Sequence, residues 1–312
     1  MKGLHFVTGE KGGIGKSLFA MVLLEYLHNL GIDHKFYDAD RSSPDVGLTY
    51  GESPESTTRE KSELDDFTCF DDVLAFDDVE ETNSEKDFIP LEESDPQEST
   101  QPSQLVSQVY FSEDQEESFK ADRLYEEASN GLVVVNLPAQ VELLMDKWLR
   151  DRSIIEDDSL NIHYWYVTDG SPESLTLLDR SLKRYGNRIK HIVVRNKGLN
   201  KLVDKNLMSN PVVQTMRSLG LRRTVELPQL VVSNAEMQTI KTNKVKLSEV
   251  LTSDIKGLNS LTKLRTKSFL KSAHHEIDRT GVFAKQPEST LEKQTEEPVK
   301  KSPEENEVAP VN

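Results

Sequence analysis

The chain has 312 residues, of which 36% are hydrophobic, and it carries a formal net charge of −16 at pH 7. This length is enough for one large α/β domain, but the low apolar content predicts that part of the chain is not packed. The single cysteine, Cys69, excludes an intramolecular disulfide framework, a cysteine-rich zinc site and an iron–sulfur cluster ligated by one chain's own thiolates. No apolar run approaches 18 residues and no signal peptide precedes the first strand, so we expect a cytoplasmic protein.

The negative charge is concentrated in one segment. Residues 51–104 hold 18 Asp and Glu against three Lys and Arg, with no sustained periodicity, which predicts an acidic disordered insertion. Within it, residues 65–78 favour either a solvated loop or one short acidic amphipathic helix. Residues 276–312 are expected to form a disordered tail, because the chain beyond Ala284 contains almost no bulky apolar side chains. The expected globular domain therefore comprises residues 1–50 and 105–275.

The ordered segments alternate between strand and helix patterns. A helix is expected from Ser17 to Leu30, another beginning near Ser171, and further helices between residues 228 and 271. The predicted strands are 4–7, 36–37, 132–135, 162–167 and 189–194. This alternation is typical of an α/β fold with a mainly parallel twisted sheet and helices on both faces.

A glycine-rich loop joins the first strand to the first helix. It reads Thr8-Gly9-Glu10-Lys11-Gly12-Gly13-Ile14-Gly15-Lys16-Ser17. In such a loop the glycines let backbone N–H groups face phosphates, Lys16 reaches the β and γ oxygens, and the Ser17 hydroxyl ligates Mg²⁺. The usual pattern G-x-x-x-x-G-K-[ST] requires glycine where this chain has Glu10.

The string from Lys11 to Ser17 resembles the deviant phosphate loop of the ParA/MinD family of ATPases, in which that first glycine is often replaced. The resemblance covers residues 1–50 and 105–255 and implies a P-loop fold with ATP and Mg²⁺ as ligands. It assigns nucleotide contacts to Gly12, Gly13, Ile14, Gly15, Lys16, Ser17 and Leu18. Lys11 matches the family's signature lysine, which reaches across a nucleotide-sandwich dimer to the partner's phosphates, so Lys11 and Lys16 are both candidate catalytic residues.

A pair of aspartates follows the second strand. Asp38-Ala39-Asp40 resembles the family's second acidic motif, which implies that Asp40 orients the attacking water and that Asp38 lies on the metal side. A capped turn before residues 42–45 is the structural alternative.

Asn136 follows the strand at 132–135, where the family usually has an aspartate that holds Mg²⁺ through water. An amide oxygen can accept the same hydrogen bond but brings no negative charge, so we expect weaker Mg²⁺ binding and slower turnover. Asn196 and Pro228 resemble the positions that line the family's adenine pocket, although both residue types are also common at strand ends.

Other members of the superfamily are excluded by what the sequence lacks. A protein that carries an iron–sulfur cluster needs paired cysteines, and this chain has one cysteine. A bacterial tyrosine kinase has a group of tyrosines near its C-terminus, whereas the last tyrosine here is Tyr185. The resemblance then implies a slowly hydrolysing ATPase whose ATP-dependent homodimer binds DNA or an unidentified protein partner, in plasmid or chromosome partition or in DNA transfer. A non-hydrolysing nucleotide-sensing adaptor and a MinD-like membrane-surface positioning protein are the alternatives.

Residues 201–275 carry 13 basic and five acidic residues, and this excess predicts a surface for nonspecific DNA contacts or an ordinary solvated one. The candidate DNA contacts are Arg217, Arg222, Arg223, Lys241, Lys244, Lys246, Lys263, Arg265 and Lys267. Residues 258–271 also have the pattern of a basic amphipathic helix, either a membrane anchor or a final packing helix. The residues that follow favour packing, because such anchors lie at the extreme C-terminus.

Overall fold

The computed structural model describes residues 2–51 and 109–284. Cys69 and the acidic helix considered for residues 65–78 lie outside the described residues. The strands are β1 (Gly3–Thr8), β2 (Lys35–Asp38), β3 (Leu132–Asn136), β4 (Ile162–Thr168), β5 (Lys190–Asn196) and β6 (Thr224–Leu227). The helices are α1 (Lys16–Asn29), α2 (Asp45–Tyr50), α3 (Gln115–Lys120), α4 (Asp122–Asn130), α5 (Glu142–Asp151), α6 (Pro172–Tyr185), α7 (Val203–Ser209), α8 (Val212–Ser218), α9 (Asn234–Thr242), α10 (Leu247–Thr252) and α11 (Ser260–Arg279), with a 3-10 turn at Ile154–Glu156.

The six strands form one parallel sheet in the order β2-β3-β1-β4-β5-β6. The predicted mainly parallel α/β fold is therefore confirmed. β1 is central, with Val7 paired to Asn136 on one side and to Trp165 on the other. The chain leaves β1 toward β2 and later crosses to β4, so the direction of strand addition reverses at β1. In sheets of this kind, ligands bind outside the carboxyl ends of the strands at that reversal point.

Both faces of the sheet are covered because successive strand residues point to opposite sides. On one face, Val7, Trp165 and Val194 pack with residues of α1 and α11. On the other, Phe6 and Tyr164 pack with residues of α4 and α5. The continuous apolar runs of β1, β3 and β4 follow from this burial on two sides.

The folded unit extends beyond the expected boundary at residue 275. α11 continues to Arg279, with Ile277 buried in the core. Phe283 follows it and stacks on Trp165, with the ring centroids 5.8 Å apart and the planes 6° from parallel. The expected boundary missed this ending because Ile277 and Phe283 are isolated apolar residues in a polar stretch, and only their packing on α1 and β4 reveals their role.

α11 is a packing helix. Phe269 and Leu270, two of the five apolar residues of the basic amphipathic pattern, are buried in the core against α1 and β6. Leu261 and Leu264 in the first turns of the same helix are exposed. The packing alternative therefore describes α11 better than the membrane-anchor alternative. Across residues 2–51 and 109–284, no helix is long and apolar enough to span a bilayer.

Candidate phosphate-binding site

The glycine-rich loop lies at the carboxyl end of the central strand. β1 ends at Thr8 and α1 begins at Lys16, so the predicted arrangement of strand, loop and helix is present. Gly15 precedes α1 in a left-handed conformation with φ of +95°, and no side chain caps this helix N-terminus. The first N–H groups of α1 are therefore left for an external acceptor, and the helix dipole favours an anion there.

The glycines of the loop have two different functions. A Cβ added at Gly15 would collide with the Asn196 amide, so this position requires glycine for close packing. Cβ atoms added at Gly12 and Gly13 would meet nothing within 4 Å. Both residues face open space, where a phosphate group can approach the backbone closely.

A cavity of about 580 Å³ opens over the loop. Gly12, Gly13, Gly15, Lys16 and Ser17 line it, and so does Leu18 at the start of α1. Ile14 is buried and does not line it. The Lys16 side chain is 8% exposed, and its ammonium lies 3.4 Å from the Lys11 carbonyl oxygen. Burial lowers the pKa of Lys16, while the nearby Asp40 and Glu10 carboxylates oppose that shift.

Lys11 is held by its own chain. Its ammonium donates to Asp169 Oδ2 and to Ser171 Oγ, both at 2.9 Å, and lies 4.0 Å from Glu173 Oε2. The hydrogen bond with Asp169 raises the pKa of Lys11. These partners lie beside the N-terminus of α6, where Ser171 caps the helix. Nothing in the sequence indicated this partnership, which spans about 160 residues.

Asp38 and Asn136 meet at the ends of neighbouring strands. Asp38 Oδ1 accepts from Asn136 Nδ2 at 2.9 Å and from the Asp40 N–H at 3.2 Å, and Oδ2 accepts from the Gly47 N–H at 2.8 Å. Burial raises the pKa of the Asp38 carboxyl, although these three donors act against it. The Asn136 side-chain oxygen is buried without a hydrogen-bond partner. Neither side chain lines the cavity.

Asp40 does line the cavity. Its Oδ1 also accepts hydrogen bonds from the Ser42 hydroxyl at 2.6 Å and from the N–H groups of Ser42 and Ser43 at 3.1 and 3.3 Å. The capped turn considered from the sequence is therefore present. It orients a carboxylate that also faces the cavity, so the turn and a role in the site are compatible.

Glu10, the departure from the usual loop pattern, has a structural partner. Its Oε1 accepts from the Glu142 N–H at 3.1 Å, at the first residue of α5, and its carbonyl oxygen accepts from the Gln140 N–H at 3.3 Å. A carboxylate at a helix N-terminus is favourable, and here it ties the loop to α5. Burial raises the pKa of Glu10, and burial together with the Glu10 charge raises the pKa of Glu142 to about 7.

Asn196 holds the glycine-rich loop through a hydrogen bond. Its Nδ2 donates to the Ile14 carbonyl at 2.8 Å, and its Oδ1 accepts from the N–H groups of Gly198 and Leu199. Neither Asn196 nor Pro228 lines the cavity described above. The structure therefore gives Asn196 a role in holding the loop.

The nine candidate DNA contacts lie on α8, on the segment before β6, on α9 and the segment after it, and on α11. Lys241 pairs with Asp45 at 2.9 Å and Lys263 with Asp254 at 2.7 Å. These basic residues are thus spread over several elements.

Comparisons with known proteins give one curated relative over part of the chain and several solved structures. The chain is 38% identical over 64 residues to protein MobD of Acidithiobacillus ferrooxidans, a match that covers 20% of this chain and 28% of MobD. The chain thus spans little more than a quarter of that relative. No family model matches.

Three solved structures align with most of this chain at low TM-scores. The MinD cell division protein of Aquifex aeolicus has a TM-score of 0.41 at 16% identity, over 86% of this chain and 96% of that one. A chain of the MinC:MinD cell division protein complex of the same organism has a TM-score of 0.44 at 13% identity, over 88% of this chain and 96% of that one. A nucleotide-binding protein in complex with ADP from Archaeoglobus fulgidus scores 0.40 at 12% identity, over 78% and 88%. The glycine-rich loop between the central strand and α1 of a parallel α/β sheet, which the resemblance to ParA/MinD proteins predicts, is present in this chain.

Proposed function

We propose that this protein is an ATP-binding, Mg²⁺-dependent and slowly hydrolysing ATPase of the ParA/MinD type. One observation carries the proposal. The uncapped N-terminus of α1, the open positions Gly12 and Gly13 and the buried ammonium of Lys16 converge on one cavity at the carboxyl end of the central strand. Backbone donors, a helix dipole and a desolvated cation in this arrangement bind a polyphosphate.

The residues around the loop fit Mg²⁺ bound together with a nucleotide. Mg²⁺ in such sites is held by one or two protein oxygens, by waters and by phosphate oxygens. Ser17 and Asp40 line the cavity and supply protein oxygens, and the unpartnered side-chain oxygen of Asn136 lies behind them next to Asp38. When bound, the metal neutralises charge on the phosphates.

Asp40 and Lys16 supply the chemistry of hydrolysis in this proposal. Lys16 neutralises the charge that develops on the terminal phosphate, and Asp40, fixed by Ser42 and Ser43, orients the attacking water. Turnover is slow because Asn136 provides an oxygen without a charge, and because Asp38 is already engaged by three donors.

Dimerisation through the cavity edge is the second part of the proposal. Leu143, Leu199, Leu202 and Val231 follow β3, β5 and β6 at the edge of the sheet that carries the loop, and each side chain is at least half exposed. Apolar side chains that stay exposed along this edge offer contact area to a second copy of the chain. In the ATP-bound homodimer, Lys11 exchanges Asp169 for the partner's phosphates, and the dimer then binds DNA through residues 201–275 or binds a protein.

The adaptor alternative rests on Asn136. If the amide and the engaged Asp38 leave no productive metal shell, ATP acts as a sensing ligand and is not consumed. A steady-state phosphate-release assay with Mg²⁺ and ATP, run beside equilibrium binding of a fluorescent ATP analogue, separates the two functions. Binding with turnover supports the ATPase, binding without turnover supports the adaptor, and no binding contradicts both.

A further inference from the structure

Another cavity, of about 630 Å³, lies at the opposite edge of the sheet from the phosphate loop. Its lining comes from the last turn of α1 and the residues that follow it, from Asn130 and Gly131 before β3, and from Asp278, Phe283 and Ala284 at the end of α11. Because β2 and β3 begin shortly after these segments, we call it the amino-end cavity. Its volume lies in the range of pockets that enclose a small molecule.

Two aspartates give the amino-end cavity its charge. Asp33 follows the hydrogen-bonded turn that ends α1 and is exposed, and no donor within residues 2–51 and 109–284 is bonded to its carboxylate. Asp278 Oδ1 accepts from the Tyr26 hydroxyl, which leaves Oδ2 as a further acceptor. Among the described residues that line the cavity there is no lysine, arginine or histidine, so its own lining does not neutralise these carboxylates.

Two helices end at the amino-end cavity. α1 ends at Asn29 and α11 at Arg279, and a helix C-terminus carries partial negative charge. Arg279, the basic residue in the last turn of α11, is already paired with Glu276 at 2.8 Å. Acidic side chains are unfavourable at a helix C-terminus, whereas a cation is favourable there. The two carboxylates and the two helix ends therefore favour the same kind of ligand.

The polar groups of the amino-end cavity are mainly acceptors. The Tyr26 hydroxyl is committed to Asp278, and Asn130 Nδ2 donates to the Glu126 carbonyl at 2.9 Å. Burial and the hydrogen bond with Asp278 raise the pKa of Tyr26, so its hydroxyl keeps the proton that it donates. The backbone N–H groups of the turn after α1 and of Gly131 are bonded to carbonyl oxygens of the chain. An ammonium or guanidinium group has donors and no acceptor, and it matches this lining.

An apolar wall lies next to the carboxylates. It consists of Leu30, which is 50% exposed, Ile32, and the rings of Tyr26 and Phe283, whose centroids are 5.7 Å apart. Leu30 and Ile32 offer apolar surface to a ligand, and aromatic rings attract a nearby cation.

We propose that the amino-end cavity binds a small organic cation, an amine or a guanidine with an apolar body. The charged group is held by Asp33 and Asp278, and the body packs against the apolar wall. A single lysine side chain of another protein would fill only a small part of about 630 Å³, so the volume favours a whole small molecule. This site is separate from the proposed function, because none of its lining residues lines the cavity over the phosphate loop.

The charge preference is tested with tryptamine and with tryptophol, the neutral alcohol that has the same ring, by calorimetry at pH 7 on the full-length chain. We expect tryptamine to bind at least about tenfold more tightly. Asp33→Asn and Asp278→Asn should each weaken tryptamine by about fivefold to tenfold and change tryptophol by less than about twofold. Asp158→Asn, which removes an exposed carboxylate outside the cavity, is the matched control and should leave both affinities unchanged.

Three results would overturn the cation site. Tryptamine could bind no more tightly than tryptophol, or it could bind Asp278→Asn as tightly as wild type. In the third, neither tryptamine nor phenylguanidine binds the wild-type protein at millimolar concentration. Melting temperatures establish that each variant is folded.

The apolar wall has a test of its own. Leu30→Ala should weaken tryptamine and tryptophol equally, by about threefold, because it removes apolar contact area from a half-exposed side chain. Leu30→Met keeps that area and should bind both ligands within about twofold of wild type. Equal affinities in Leu30→Ala and wild type would contradict packing against this wall.

Lys285 follows the lining residue Ala284 in the sequence, so the chain's own lysine is the competing occupant. In Lys285→Gln we expect tryptamine affinity within about twofold of wild type. A gain of more than about fivefold would assign the cavity to this lysine and overturn the small-molecule site.

The failure of this inference is distinguishable from the failure of the proposed function. Binding of a fluorescent ATP analogue should stay within about twofold of wild type in Asp33→Asn and Asp278→Asn, because the phosphate loop lies at the other edge of the sheet. Wild-type protein that binds the ATP analogue and not the amines contradicts the cation site alone. Wild-type protein that binds tryptamine and not the ATP analogue contradicts the ATPase and supports the cation site.

Discussion

The phosphate loop and the acidic edge beside it, which Asp38 and Asp40 form, differ in how far their polar groups are already hydrogen-bonded within the chain. At the loop, the helix N-terminus is uncapped, two glycines face open space, and Lys16 is buried with its ammonium 3.4 Å from the Lys11 carbonyl oxygen. At the acidic edge, Asp38 accepts three hydrogen bonds and Asp40 is fixed in a turn. Anion binding and metal-dependent turnover are therefore separable here. The loop leaves its donors available to a ligand, whereas the carboxylates of the acidic edge already accept hydrogen bonds from the chain itself.

The largest effect is expected from Lys16→Ala. Loss of the buried ammonium removes charge-assisted hydrogen bonds to the phosphates, and we expect fluorescent ATP binding to fall by at least about 100-fold. Lys11→Ala is the matched control, since it removes a lysine of the same loop that points to Asp169. Unchanged ATP binding in the Lys16 variant would contradict the assignment of this loop to phosphate binding.

Lys11→Ala should eliminate the ATP-dependent dimer and leave monomer binding largely intact. Light scattering with a non-hydrolysable ATP analogue measures this. Asp169→Asn, which frees Lys11 from its partner on the same chain, should instead shift dimer formation to lower protein concentration, by about threefold. A dimer that persists without Lys11 would contradict its role in trans.

Asn136→Asp tests the acidic edge. The variant places two carboxylates next to each other and removes the donor to Asp38, so the metal-free protein should lose about 2 kcal/mol of stability, measured by denaturant unfolding. With Mg²⁺ and ATP, the hydrolysis rate should rise several-fold and the Mg²⁺ concentration for half-maximal rate should fall. Asp40→Ala in the same background should abolish hydrolysis, and the two changes should not be additive.

If wild-type turnover is undetectable and Asn136→Asp does not raise it, the ATPase proposal fails in favour of the adaptor.

The smallest effect concerns the support of the loop by Glu10 and Glu142. The pKa of Glu142 is raised to about 7 in the folded chain, so the folded state holds a proton that the unfolded state has released between about pH 4.5 and 7. The free energy of unfolding should therefore fall as pH rises through this window. Glu142→Gln keeps the backbone donor to Glu10 and should flatten that slope, gaining about 1 to 2 kcal/mol relative to wild type at pH 8. If the free energy of unfolding depends on pH in the same way in both proteins, Glu142 is not the source of the slope.

Much of the fold was predictable because its signals are local. The helix start at Ser171-Pro172 and the strands that carry the sheet follow from capping and from apolar runs a few residues long. The phosphate loop was equally legible, since Lys16 and Ser17 lie within ten residues of β1 and at the start of α1. These features depend on neighbours in sequence, and the sequence alone determines them.

The tertiary structure explains the residues that depart from the expected patterns. Glu10 replaces a glycine because its carboxylate binds the N-terminus of α5, 132 residues away, and Asn196 serves the loop as a brace. Lys11 is held by Asp169, and Met237 and Lys241 of α9 line the cavity, which no pattern near the loop indicated. Such contacts join segments far apart in the chain, and they arise only when packing on a shared sheet edge brings those segments together.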